Sequence, residues 1–267
     1  MRRSIIWGGV LIVLGALFLL DNLGLLPVHA WEVFWPLVLI ALGAWTLLGV
    51  ARRSASRGVS VSEVPLEGAA RARVRIQHGA GILRVHAGAK PGMLASGSFT
   101  GDLASHVRHE GDLLIADLRP DFESSPFLAP WTWGRGGAYD WDLALTDAIP
   151  LDLTFETGAG ESRLDLASLR VGSLTVKTGA SATWLTMPAN PEGTCPVHIE
   201  GGMASFEAKV PERTEAFVRK ESGLADTHVD RARFLPVPGG YQTPGYAGAA
   251  DRLEIKISMG LGSFHLS

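Results

Sequence analysis

Apolar residues follow two different patterns along this chain, and the change falls near residue 58. Ile5 to Leu20 (IIWGGVLIVLGALFLL) carries no charge, and after Asp21 and Asn22 the apolar character resumes through Leu26. A second run extends from Val33 to Val50. A helix rises about 1.5 Å per residue, so roughly 20 residues cross the hydrocarbon core of a bilayer. The pattern predicts a transmembrane helical hairpin with spans at about 5–24 and 33–50. Trp7, Trp31 and Trp35 sit at run ends, where amphipathic rings anchor at the headgroups. Pro36 falls at the start of the second helix, where its missing N–H costs nothing. A cleaved signal peptide is the competing reading of residues 1–26. Leu23 to His29 offers no clear A-x-A site, however, and a second apolar segment follows at once. Gly8 and Gly15 share a helix face, as do Gly9 and Ala16, which suits either close helix contact or the glycine content usual in membrane helices.

After the polar linker Arg52–Gly58 the period changes to two. Arg73–Gln77, Asp112–Leu118, Trp141–Leu145, Leu151–Phe155 and Leu253–Ile257 alternate apolar with polar residues, punctuated by Gly and Pro, and read as strands. A recurrence overlies the alternation. Thr157–Gly160 (TGAG), Thr178–Ser181 (TGAS), Glu200–Gly202 (EGG) and Ser222–Gly223 (SG) each precede a short strand, and Gly158, Gly179, Gly201 and Gly223 are spaced by 21, 22 and 22 residues. An isolated copy with Gly79 and Gly81 lies upstream, and one with Gly260 and Gly262 closes the chain. A period in the low twenties with glycine corners is the pattern of a solenoid whose coils stack edge to edge. The expected fold is mainly β: a single-chain β-solenoid over residues 58–267, regular from about 151, behind the hairpin of residues 1–57. Structural corners are assigned to Gly79, Gly81, Gly158, Gly160, Gly179, Gly201, Gly223, Gly260 and Gly262. Phe234 to Ala250, rich in Pro, Gly and Tyr, is expected to lengthen the last unit into a cap over an open strand edge.

The stretches WGGVLIVLGALFLLDNLGLL and WPLVLIALGAWTLL resemble the paired-helix module of LiaI/LiaF-type bacterial membrane proteins. The remainder, through IPLDLTFETGAGESRLDL, LTVKTGASATWLTMP, YQTPGYAGAADRLEIKI and GLGSFHL, is similar to the toastrack domain that accompanies that module. The resemblance covers nearly the whole chain. It implies a bacterial envelope-stress protein whose β domain modulates a sensor kinase or another membrane partner, without catalysis.

Charge sets the expected orientation. Net charge is −3, but residues 1–57 balance to +3 and the rest to −6. Arg2 and Arg3 precede the first span, Arg52, Arg53 and Arg57 follow the second, and the turn between them has no Lys or Arg. The positive-inside rule then places both termini and the β domain in the cytoplasm, beneath an inner membrane crossed twice. The acidic body offers no basic stripe for nucleic acid. Cys195 has no partner in the chain, which excludes a disulfide-stapled module and accords with a reducing compartment.

Candidate chemistry is sparse. The GAG turns lack a Walker A lysine and G-x-G-x-x-G spacing, so corner geometry explains them better than phosphate binding. Asp140 and Asp142 share a strand face but no basic residue converges on them, and no G-x-S-x-G or H-E-x-x-H occurs. His106, His109, Glu110 and Asp112 cluster without metal-ligand logic. No catalytic, cofactor or metal site is therefore assigned. The segment that stands out is 121–142, DFESSPFLAPWTWGRGGAYDWD, too long for a turn and rich in aromatics. Phe127, Trp131, Trp133, Tyr139 and Trp141 are the candidate partner-binding residues; the same rings could instead cap the solenoid or rest on the membrane. The expected partners are the bilayer and a membrane protein such as a sensor kinase. Self-association through strand edges into a sub-membrane scaffold is the alternative.

Overall fold

The computed structural model describes residues 59–100, 103–120, 140–221 and 226–267. The two spans, Phe127, Trp131, Trp133, Tyr139 and Gly223 lie outside the described residues. The chain divides into two compact units, Met1–Arg57 and Gly58–Ser267, and the described residues all belong to the second. Among them no helix is long and apolar enough to cross a membrane.

The body is mainly β, and its strands join in one sheet. The first are β1 (Val59–Pro65), β2 (Arg71–Ala87), β3 (Met93–Thr100), β4 (Leu103–Glu110), β5 (Leu113–Pro120) and β6 (Trp141–Leu145). Then come β7 (Leu151–Asp165), β8 (Arg170–Thr186), β9 (Asn190–Pro191), β10 (Thr194–Lys209) and β11 (Glu215–Glu221). The last are β12 (Asp226–Val229), β13 (Leu235–Val237), β14 (Gly240–Gln242) and β15 (Arg252–Leu266).

Each long strand turns a corner midway, and the burial pattern shows it. In β7, Leu151, Leu153, Phe155 and Thr157 are buried, then Ser162 and Leu164, so the core-facing parity switches from odd to even across Gly158–Gly160. The same switch occurs in β2, between His78 and Leu83, and in β15, between Met259 and Phe264. A straight strand keeps one parity per face. The switch lets the legs before and after the corner point into one core, and residues from both legs join a single buried cluster.

The long strands stack in parallel register as β2, β7, β8, β10 and β15. Val74, Leu153, Leu174, Val197, Ile255 and Val218 form one buried column through the first legs. Fully burying an aliphatic side chain of this size contributes about 1.5–3 kcal/mol, so the column is a main source of cohesion between rungs.

Two sequence expectations need correction. The upstream copy at Gly79 is not isolated, because β2 pairs directly with β7 and the regular stack begins there, not at residue 151. The terminal copy does not close the stack. β15 lies between β10 and β11, and the chain returns to that place after its excursion through β13 and β14. The β13–β14 hairpin, within the stretch expected to lengthen the last unit, pairs antiparallel along β11 and covers that edge. Both end rungs are split. β11 and β12 pair with the two legs of β15, while β5 and β6 pair with the two legs of β2. β5 ends at Pro120 and β6 begins at Trp141, so in sequence residues 121–139 fall between the two strands that pair with the two legs of β2.

Candidate functional site

The corners line up into rows, and the rows explain the glycines. The carbonyl oxygen of Gly79 points at the α-carbon of Gly158; a Cβ there would lie 2.3 Å from it. The carbonyl of Gly158 occupies the same place against Gly179, at 2.4 Å. At the next steps a Cβ on Gly202 would meet the Gly179 oxygen at 3.0 Å, and one on Gly260 the Gly202 oxygen at 2.9 Å. Glycine recurs because a backbone carbonyl of the neighbouring rung already fills the side-chain position. A second row uses positive φ: Gly81, Gly160 and Gly262 have φ of +129°, +125° and +121°, which L side chains rarely adopt. Gly201 is misassigned by the sequence spacing. Register pairs it with Thr178, a Cβ on it would meet side chains rather than a carbonyl, Met259 at 3.2 Å and Ala204 at 3.5 Å, and the row member is Gly202.

Without side chains along this row, an open groove of about 1070 Å³ runs across the rungs. Its rim is the residue two places before each row glycine: Gln77, Glu156, Lys177, Glu200 and Ser258, aligned in register. The signal was present in the sequence as QHG, ETG, KTG, EGG and SMG, but only register shows that these positions form one edge. Arg75 Nη2 donates to both Glu156 oxygens, at 2.8 and 2.9 Å, and Gln77 Nε2 donates at 2.8 Å. The Gln77 hydrogen bond, opposed by partial burial and helped by Arg75, holds the Glu156 carboxyl below the usual carboxylate range. Lys177 pairs with Glu200 at 3.1 Å. Exposed pairs of this kind contribute about 0–1 kcal/mol, so they order the rim more than they stabilise the fold.

The floor is unusual in its core-facing row: His78, Thr157, Thr178, Gly201 and Met259. Thr157 and Thr178 are 8% and 7% exposed, line the groove, and have Oγ1 atoms without a hydrogen-bond partner among the described residues. Buried hydroxyls are normally satisfied. At the β2 end the groove is closed by Arg119 and Pro120, and at the β15 end by Met259 and Leu261.

Trp141, assigned to the partner-binding loop, is instead a buried residue of β6. It pairs with Leu83 and Phe99, and its ring meets the Phe99 edge at 5.1 Å and His78 at 5.3 Å. Alternation along Trp141–Leu145 turns it inward, so it is packing and not a free anchor. Asp140 accepts from the Ile82 N–H at 3.3 Å, and Asp142 pairs with His86 at 3.1 Å. His106 and His109 lie three apart on β4 and so face opposite ways, with His109 on Glu67 at 2.7 Å. Among the described residues no group of three His, Cys, Asp or Glu side chains is placed to hold a metal. Cys195 is fully buried, and desolvation pushes its thiol up to about 12.

Residues 53–209, more than half of the chain, match the family described as the N-terminal domain of toast_rack (DUF2154). The chain belongs to the toast-rack family. Residues 5–47 match the LiaI-LiaF-like transmembrane region, so the toast-rack body follows a membrane region on the same chain. A candidate cell adhesion protein from Clostridium sporogenes is similar in structure, with a TM-score of 0.69 at 19% identity over 79% of this chain and 99% of that one. That likeness shows the toast-rack fold alone. A candidate adhesin from Bacteroides fragilis aligns with a TM-score of 0.30 at 10% identity, over 79% of this chain and 98% of that one. No curated protein matches the sequence.

Proposed function

We propose that the protein is a non-enzymatic, membrane-anchored regulator of a bacterial envelope stress response, acting through protein contacts of its toast-rack body. The observation that carries this reading is the union, on one chain, of a LiaI-LiaF-like membrane region with a toast-rack domain. The body adds support, since its candidate acids are held in local contacts and the groove across its rungs is open, suited to docking rather than to enclosing a substrate. In this reading both termini and the body are cytoplasmic, and the partner is a sensor kinase or another protein in or under the membrane. Regulation then requires that the partner bind two states of the system with different affinity.

Topology is the first test. Single cysteines are placed at the 21–32 turn and at the exposed Lys90, and intact cells are treated with an impermeant thiol reagent; buried Cys195 can stay. Labelling at the turn alone is expected. Labelling at Lys90 would move the body outside and end the kinase reading. The 121–139 stretch is the second element of the proposal, because Trp131 and Trp133 fall in sequence between β5 and β6, in a run too long for a turn and rich in aromatics. The Trp131→Ala/Trp133→Ala variant is expected to lose partner capture while keeping its unfolding midpoint. A collapse of the midpoint would assign these rings to capping.

The alternative, a scaffold that self-associates, is favoured by β1 and β4, which among the described residues pair on one side only and where Val61 and Val107 are exposed. Concentration-dependent filaments of the purified chain would select it.

A further inference from the structure

The rim and floor of the groove differ from one end to the other, and the difference specifies an occupant. At the β15 end it is apolar: Leu261 is 51% exposed, its register neighbour Met203 is 66% exposed, and Met259 lies beneath. Large apolar side chains this exposed, side by side, mark contact sites more often than chance. In the middle the rim is self-neutralised, since Glu156 is held by Arg75 and Gln77, and Lys177 by Glu200. At the opposite end stands Arg119, exposed on β5. Of the two cations lining the groove it is the one without a carboxylate partner among the described residues.

The glycine row adds to this. Its carbonyls are each directed at the next rung, so the row itself carries no side chain to block a chain laid across it, while the Thr157 and Thr178 side chains beneath it face the core.

Length follows from the stack. From β15 to β5 the path crosses β10, β8, β7 and β2, five steps of about 4.8 Å, or roughly 24 Å. An extended polypeptide covers that span with about seven residues. We propose that the groove takes an extended peptide segment of a protein partner, with an apolar side chain seated on Met259 and Leu261 and a carboxylate about seven residues away on Arg119. The intervening residues are uncharged, because the middle of the rim has no charge to spare. This rests on the regulatory reading above and gives its partner a recognisable chemistry.

The test uses the full chain in lipid nanodiscs, panned with phage-displayed random dodecapeptides. Enriched peptides are then synthesised with a fluorophore and titrated by anisotropy. The expected enrichment is an apolar and an acidic residue six to eight positions apart. Arg119→Glu is expected to weaken binding at least tenfold, and a peptide with its acid replaced by lysine is expected to recover binding to that variant. Leu261→Ser should weaken the same peptides, whereas Trp184→Ala, on the second leg of β8, should leave them unchanged. Unfolding midpoints confirm that each variant is folded. Failure to enrich any peptide, or enriched peptides indifferent to both Arg119→Glu and Leu261→Ser, would overturn the proposal. A body labelled from outside the cell would sink the regulatory reading while leaving this purified-chain assay to succeed or fail by itself.

Discussion

Replacing Gly158 by alanine tests the account of the corners most directly. An added Cβ would sit 2.3 Å from the Gly79 carbonyl oxygen. A carbon and a carbonyl oxygen come no closer than about 3.2 Å without repulsion, so β2 and β7 must part there by nearly 1 Å. The φ of Gly158 is not in the left-handed region, so no conformational strain is added and the cost is contact alone. Parting the strands stretches the ladder bonds that flank the row at His78–Thr157 and Ala80–Ala159. Two or three weakened backbone hydrogen bonds, at about 0.5–1.5 kcal/mol each, give an expected loss of about 2–3 kcal/mol. Gly260→Ala, at 2.9 Å from the Gly202 oxygen, should cost about 1 kcal/mol, because a few tenths of an ångström suffice. Gly201→Ala should stay within about 0.5 kcal/mol, since only the flexible Met259 side chain must move. Urea unfolding of the three purified variants, followed by tryptophan fluorescence, ranks them. Equal losses at 158 and 201, or a Gly158→Ala variant as stable as the parent, would refute the carbonyl-stack explanation.

Other expectations follow from the same packing. Phe206 stacks on Phe264 with centroids 5.4 Å apart, both fully buried, so Phe206→Ala should cost about 3–5 kcal/mol by chemical denaturation; a loss under 1 kcal/mol would mean the β10–β15 contact is not as described. Cys195, with its thiol pushed up to about 12, should resist a chromogenic disulfide reagent at pH 8 and react only at the rate of global unfolding. Because that pKa is raised on folding, its contribution is whole below about pH 9 and is lost as pH rises toward 12; Cys195→Ala should flatten that part of the stability curve. Glu156 has the opposite sign. Its lowered pKa contributes stability above about 4.5 that disappears as pH falls through the folded value, and Glu156→Gln should erase this acid dependence. An unchanged acid limb in that variant would place the Arg75–Gln77–Glu156 contact outside the native energetics.

Sequence alone was enough to determine what is local. The alternation of Leu151 to Phe155 and Leu253 to Ile257 specifies strands, and the charge-free runs before residue 50 specify a membrane region that the LiaI-LiaF-like match now supports. Glycine spacing revealed that the body repeats, because a carbonyl must meet a hydrogen wherever one rung crosses the next. What the pattern could not decide is which rung lies beside which. Every long strand carries the same alternation, the same switch of parity and the same corner, so by local criteria the copies are interchangeable. Order is settled by particular contacts between distant segments: Phe264 on Phe206 seats β15 next to β10 ahead of β11, and Trp141 between Phe99 and His78 seats β6 on β2 and turns an apparent loop aromatic into core. The groove was hidden for the same reason. Gln77, Glu156, Lys177 and Glu200 are far apart in sequence, and only the parallel register brings them into one row beside Arg119.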